Sequence, residues 1–144
     1  MESDNRKPCM KAERVLSSEK KRKSVIGILA VARGSLEKDL GGWVHVGDVW
    51  YASGKKISKS LIYGIFRELG KVGVVKPWRN YQGKPDWTTV NFTCQGLKKL
   101  NTFIEEERIR TSSIPDESIR KDELYPLEIT KELLDEVRRL LNCP

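Results

Sequence analysis

An α+β, mostly α fold is what this sequence predicts, and three observations predict it. Apolar residues recur at three- and four-residue spacing in several separate stretches, the pattern of amphipathic helices. One stretch alone, residues 74–92, is dense in β-branched and aromatic residues around a polar turn with Gly and Pro, the pattern of a hairpin. The chain of 144 residues is 38% apolar and 33% charged, which suits one modest core and is too polar for a membrane-spanning protein.

The elements follow in order. Residues 1–17 read as a flexible or partly helical arm, polar and carrying Pro8, with Met10, Ala12, Val15 and Leu16 able to form a short turn of helix. A first helix runs from about Glu19 to Ala32, with an extension toward Leu40 across a break at Gly34. Its opening, Lys20-Lys21-Arg22-Lys23 before Val25 to Ala32, imitates a signal peptide. The apolar run is only eight residues long and begins late behind a charged leader, so it reads as the buried face of a helix with a solvated lead-in. Gly41-Gly42 ends the segment.

A second helix covers Val46 to Ala52, with Val49 and Trp50 inward and Asp48 outward, and Gly54-Lys55-Lys56 makes a turn. Ser58 caps a third helix by accepting a hydrogen bond from a first-turn amide. Leu61, Ile62, Ile65, Phe66 and Leu69 line its apolar face, and Gly70 and Gly73 close it. Strands at 74–78 and 87–92 flank the polar turn 79–86, and Pro77 marks the first of them as an edge or a bulge. Thr93 caps a fourth helix over 95–110. Residues 18–110 therefore make one domain, 111–125 a linker with Pro115, and 126–144 a last helix that Pro126 opens. Two helices around a glycine-bearing turn, then a two-stranded wing, describe a winged helix-turn-helix with flanking N- and C-terminal helices.

Catalytic residue types are scarce. His45 is the one histidine, better suited to capping the second helix than to acid–base work. Cys9, Cys94 and Cys143 form no pair at metal-ligand spacing, so no metal or other cofactor is expected. Their odd number and separation argue against a disulfide framework and for a reducing, cytoplasmic setting, nucleoid-associated if the chain binds DNA, and Cys94 is expected to be buried. With no Gly-rich phosphate loop and no Gly-x-Ser-x-Gly elbow, the chain does not read as an enzyme.

Charge is uneven. The net charge is +7; residues 25–100 carry twelve basic and five acidic groups, while residues 101–144 carry seven and eleven. The positive surplus thus belongs to the leader and the central domain, which favours a polyanionic partner.

The stretch Ile57-Ser58-Lys59-Ser60-Leu61-Ile62-Tyr63-Gly64-Ile65-Phe66-Arg67-Glu68-Leu69, closing at Gly73, resembles the recognition-helix segment of PadR-like winged-helix transcriptional regulators. Tyr63, Arg67, Leu69 and Gly73 match that pattern, and Leu61 stands where the family prefers Thr. Val90-Asn91-Phe92-Thr93 with Gly96 is similar to the family's exit from the wing. The resemblance covers roughly residues 24–104. It implies a DNA-binding repressor that dimerises through a C-terminal helix. Small members of the family include a repressor of circadian-clock genes, of similar length and layout.

Chemistry places the DNA contacts. The first turn of the second helix in such a motif reaches base edges in the major groove. Ser58, Lys59, Ser60 and Tyr63 lie there, and Arg67 follows one turn on. Lys55 and Lys56 in the preceding turn suit phosphate neutralisation. In the wing, Arg79 and Lys84 flank the tip with Asn80 and Gln82 between them, and a wing arginine suits a narrow minor groove. Trp43, Trp50, Trp78 and Trp87 read as core packing and wing anchors, with a planar ligand site as the alternative.

On the last helix, Leu127, Thr130, Leu134, Val137 and Leu141 form a stripe that Leu133 and Leu140 widen. Either the domain itself or a second chain covers it. The second chain is the preferred reading, making these leucines and Val137 a dimer interface. The expectation is a sequence-specific repressor that binds double-stranded DNA as a homodimer on a pseudo-palindromic promoter site, without a membrane partner. Two rivals share the fold: a protein–protein adaptor, and a ligand- or redox-responsive regulator.

Overall fold

The computed structural model describes residues 19–35 and 41–144. The expected N-terminal arm and the extension toward Leu40 lie outside the described residues. The order of elements is α1 (Glu19–Ser35), β1 (Val44–His45), α2 (Val46–Ala52), α3 (Lys59–Lys71), β2 (Val75–Arg79), β3 (Pro85–Phe92), α4 (Cys94–Ser112) and α5 (Glu117–Leu140). The described residues therefore form an α+β fold, mostly helical, with one small antiparallel sheet.

The apolar run that imitates a signal peptide is the inward face of α1: Val25, Ile26, Ile28, Leu29 and Ala32 are all buried. Helix α1 packs on α5 and on α2. Ile62, Ile65, Phe66 and Leu69 of α3 enter the same core, as do Val75, Val90 and Phe92 of the sheet and Leu97, Leu100, Phe103 and Ile104 of α4.

The hairpin is not alone. A two-residue strand, β1, pairs with β3 through Val44↔Val90 and His45↔Thr89, giving the strand order β1-β3-β2. Two residues are too few for an alternation pattern to register. His45 ends this strand and caps α2, its Nδ1 accepting from the Gly47 amide at 2.9 Å. Strand β2 is an edge, as Pro77 implied, and the register with β3 breaks between Pro77 and Trp78. Gly42, at φ 90°, lies against the buried Asn91: a Cβ there would meet Asn91 Oδ1 at 2.9 Å. Asn91 is satisfied in place, donating to the Gly41 carbonyl at 2.9 Å and accepting from the Phe92 amide at 2.8 Å.

Three expectations are corrected at the C-terminal side. Residues 111–125 are no linker: α4 continues to Ser112, and α5 begins at Glu117, capped by Asp116 accepting from the Ile119 amide at 3.0 Å. Pro126, expected to open the last helix, lies inside it. A proline in a helix interior costs about 3 kcal/mol. Burial of Leu127, Leu133, Leu134 and Val137 offsets this, since each such side chain gains about 1.5–3 kcal/mol.

That burial is the second correction. Leu127, Leu133, Leu134 and Val137, expected at a dimer interface, are covered within the chain, where α5 packs on α1 and α4. Leu140 and Leu141 are half-buried at its end. The stripe has found its partner in its own fold.

The third concerns the cysteines. Cys94 and Cys143, read as isolated, form a disulfide that ties the first residue of α4 to the end of the chain across a sequence separation of 49. The bridge depends on the chain turning back after α5, which no local spacing reveals. Two of the three cysteines thus no longer argue for a reducing compartment.

The surplus of acid in the tail also has a use. Glu107 of α4 is buried and pairs with Arg22 Nε of α1 at 2.9 Å and with Arg110 at 3.0 Å. Lys23 lies 3.9 Å from Glu123 of α5. Arg22 of the basic run is therefore drawn into the fold, while Lys21 and Lys23 remain exposed as a solvated lead-in would be.

Candidate nucleic-acid interface

The residues expected at a DNA interface gather in two places. Lys55, Lys56, Ser58, Lys59 and Ser60 come together where α2 turns into α3. Arg79, Asn80, Gln82 and Lys84 form the turn between β2 and β3. All nine are exposed.

The α2–α3 turn is tightly tied. Ser53 Oγ donates to the Trp50 carbonyl at 2.7 Å and accepts from the Ile57 amide at 3.2 Å, joining the end of one helix to the approach of the next. Gly54 and Lys55 both take left-handed backbone, at φ 70° and 63°. For glycine this is free of strain, and for lysine it costs about 1 kcal/mol or more. Ser58 caps α3 as expected, accepting from the Leu61 amide at 3.1 Å, so its hydroxyl oxygen is already engaged.

Helix α3 presents a definite outer line. At about 100° per residue, Ile62, Ile65, Phe66 and Leu69 point into the core, and Ser60, Gly64, Arg67 and Lys71 fall opposite them. Lys59 sits on the flank of this line. Its Nζ is 4.4 Å from the Trp50 ring centre, and that of Lys55 is 5.2 Å away. Tyr63 is half-buried against the core, and its hydroxyl accepts from Arg67 Nη1 at 3.4 Å. The Arg67 guanidinium lies 5.9 Å from the rings of both Tyr63 and Trp87. Trp87 belongs to β3, so this stack links α3 to the hairpin; a Cβ on Gly70 would strike the same indole at 2.1 Å.

At the hairpin turn, three of the expected contact residues are already engaged. Asn80 Oδ1 accepts from the amides of Gln82 at 2.8 Å and Lys84 at 3.0 Å. Arg79 Nη1 donates to the Gly83 carbonyl at 2.9 Å, which leaves its other N–H groups unspent. Gln82 Nε2 donates to the Tyr81 hydroxyl at 3.2 Å. Beyond the tip, hydrogen bonds from the Thr88 side chain and amide hold the Asp86 carboxyl below its ordinary pKa.

Lys71, Lys76 and Tyr81 are exposed beside these residues as well. Lys71 stands four residues after Arg67, so helical spacing alone puts it on the outer line. Lys76 on β2 and Tyr81 at the hairpin tip carry no comparable signal. Among the described residues no group of three or more His, Cys, Asp or Glu side chains converges as a metal site would, and no helix is long and apolar enough to cross a membrane. Comparison of the chain with protein-family models, curated proteins and solved structures found no match.

Proposed function

We propose that this chain binds double-stranded DNA through a winged helix-turn-helix, with α2 and α3 as its helix pair and the β2–β3 hairpin as its wing, and that it represses transcription by occluding a promoter. The strand order β1-β3-β2 beside that helix pair supports the fold assignment. The observation that carries the functional reading is the start of α3. Helices favour acidic residues in their first turn, where the dipole is positive. Helix α3 has none and begins with Lys59, just after Lys55 and Lys56 in the turn. Cations at a helix N-terminus oppose the dipole in a free protein, and their clustering here suits a polyanion.

Ser60 and Arg67 on the outer line are the side chains this reading assigns to base edges, and Lys71 joins them. Lys55, Lys56 and Lys59 neutralise phosphates, and Lys84 and Arg79 do so from the wing. The proposal carries no dimer through Leu127, Leu133, Leu134 and Val137, because those side chains already fill the core.

Fluorescence anisotropy of labelled duplexes across a salt series tests the reading. Binding should weaken steeply with salt, and replacing Lys55 or Lys56 with Gln should flatten the log–log slope by about one unit each. Absence of duplex binding at low salt would overturn it in favour of a protein–protein adaptor.

A further inference from the structure

The outer face of the sheet holds a feature that duplex binding by α3 leaves unused. Val44, Val75, Val90 and Phe92 point into the core, and strand alternation puts Lys76 and Asn91 on the other side, where Asn91 is buried against Gly41 and Gly42 and Lys76 is exposed. Trp43, just before β1 at one edge, and Trp78, in β2 at the other edge, meet across this outer face. Their ring centres are 5.1 Å apart at an interplanar angle of 79°. Lys76 Nζ is 5.9 Å from the Trp43 ring centre. Trp43 is half-buried and supports Trp78, which remains 48% exposed. Tyr81, at the tip of the same hairpin, is 95% exposed.

We propose that this face, centred on Trp78 and Lys76, is a stacking site for an unpaired base of a single-stranded nucleic-acid segment. The chemistry of the hairpin selects that occupant. Its charged residues are Lys76, Arg79, Lys84 and Asp86, and Asp86 is engaged by Thr88, so a strand of phosphates meets a cationic surface. Two indoles meeting at a steep angle, with Lys76 beside Trp43 and Trp78 half exposed, offer a π surface and a cation together, which is how single strands are held without regard to sequence. A protein partner would need contiguous apolar area; Trp78 and Tyr81 instead stand among lysine, arginine, asparagine and glutamine. A duplex hides the faces of its bases in the stack and shows only their edges. Trp78 therefore meets a base face only where pairing has ended. This inference rests on the nucleic-acid reading of α3 in one respect: the single strand it takes is one flanking the duplex.

The test compares three labelled probes by anisotropy: a blunt duplex, the same duplex with a short thymidine overhang, and oligothymidine alone. The proteins are the wild type and the variants Trp78→Leu and Trp78→Phe; the first keeps apolar bulk without the ring and the second keeps a ring. The overhang should tighten binding about tenfold in the wild type and nearly as much in Trp78→Phe, and add nothing in Trp78→Leu. Blunt-duplex affinity should stay within about twofold in all three, since Trp78 meets no paired base. An overhang without effect on the wild type, or an effect kept by Trp78→Leu, overturns the stacking site and leaves the duplex reading standing. Oligothymidine bound in a Trp78-dependent way without blunt-duplex binding keeps the stacking site and overturns the duplex reading. Failure of all three probes overturns both.

Discussion

Lys59 Nζ lies 4.4 Å from the centre of the Trp50 ring, so the first lysine of α3 is held across the end of α2. Lys55 approaches the same ring at 5.2 Å. The indole gathers both cations where α3 begins and limits the directions they sample. A cation–π contact at an exposed site is worth about 0.5–1 kcal/mol, equivalent to a few-fold in affinity if the held geometry is the bound one. Trp50→Leu should therefore weaken duplex binding about two- to fivefold while the salt slope, set by the number of lysines, stays the same. An unchanged Kd in that variant, measured by anisotropy, would show that the ring does not prepare the lysines for their ligand.

Gly64 separates stability from binding. It lies mid-helix on the outer line of α3, and a Cβ added there meets nothing within 4 Å. Alanine should stabilise the fold by about 0.5–1 kcal/mol, because glycine costs conformational entropy inside a helix. If a duplex presses on this line, the added methyl stands between helix and base edges. Gly64→Ala is thus expected to raise Tm by a few degrees and lower duplex affinity. A rise in both would mean that the outer line of α3 faces away from the nucleic acid.

Local signals were legible in the sequence and long-range ones were not. The sequence marks Ser58 and Thr93 as caps, and each accepts the expected first-turn amide. Pro77 marks an edge or bulge, and the register breaks beside it. Each of these depends on residues within a few positions. The start of α5 had a local signal too, Asp116 followed by Glu117, but Pro126 in the helix interior masked it. The Cys94–Cys143 bridge and the Arg22–Glu107 pair join residues 49 and 85 positions apart, and no spacing rule reaches that far. At the candidate interface, residue types were legible. Their existing engagements, such as Asn80 within its own turn, were not, because a polar loop residue looks the same whether it faces a ligand or its own backbone.

The disulfide makes stability depend on redox conditions. A bridge across a separation of 49 removes about 4 kcal/mol of unfolded-chain entropy in the loop-closure model. Cys143→Ser, or reduction with a phosphine, should lower unfolding free energy by up to that amount in urea titrations. Cys143→Ser should then be insensitive to further reductant. A wild type whose midpoint does not respond to reductant, with both thiols titratable, would show the bridge to be absent in solution.

Asp86 gives a pH test of the hairpin. Its carboxyl is held below the ordinary aspartate pKa, first by the Thr88 hydroxyl and then by the Thr88 amide, with a small contribution from His45. Because the folded value is depressed, the associated stabilisation is present above the unfolded pKa and is lost as pH falls through the folded one. Carboxyl NMR titration should place Asp86 below a free aspartate, and Thr88→Val should move it upward by removing the leading cause. An Asp86 that titrates at the ordinary value would mean this turn opens in solution.

Glu107 tests how the acidic tail is tied to the basic leader. The carboxylate is buried, with Arg22 Nε at 2.9 Å and Arg110 Nη1 at 3.0 Å. Removing one partner of a buried pair typically costs about 3–5 kcal/mol, mostly because the remaining charge is left without compensation. Arg110 is more than half exposed and can turn to water, whereas Arg22 cannot. Glu107→Ala should therefore destabilise by about 3 kcal/mol. In double-mutant cycles, Arg22→Met should show a larger coupling to Glu107→Ala than Arg110→Met does. Urea unfolding of the single and double variants decides it: equal coupling for the two arginines would show that Arg22 is no more committed to Glu107 than a surface residue.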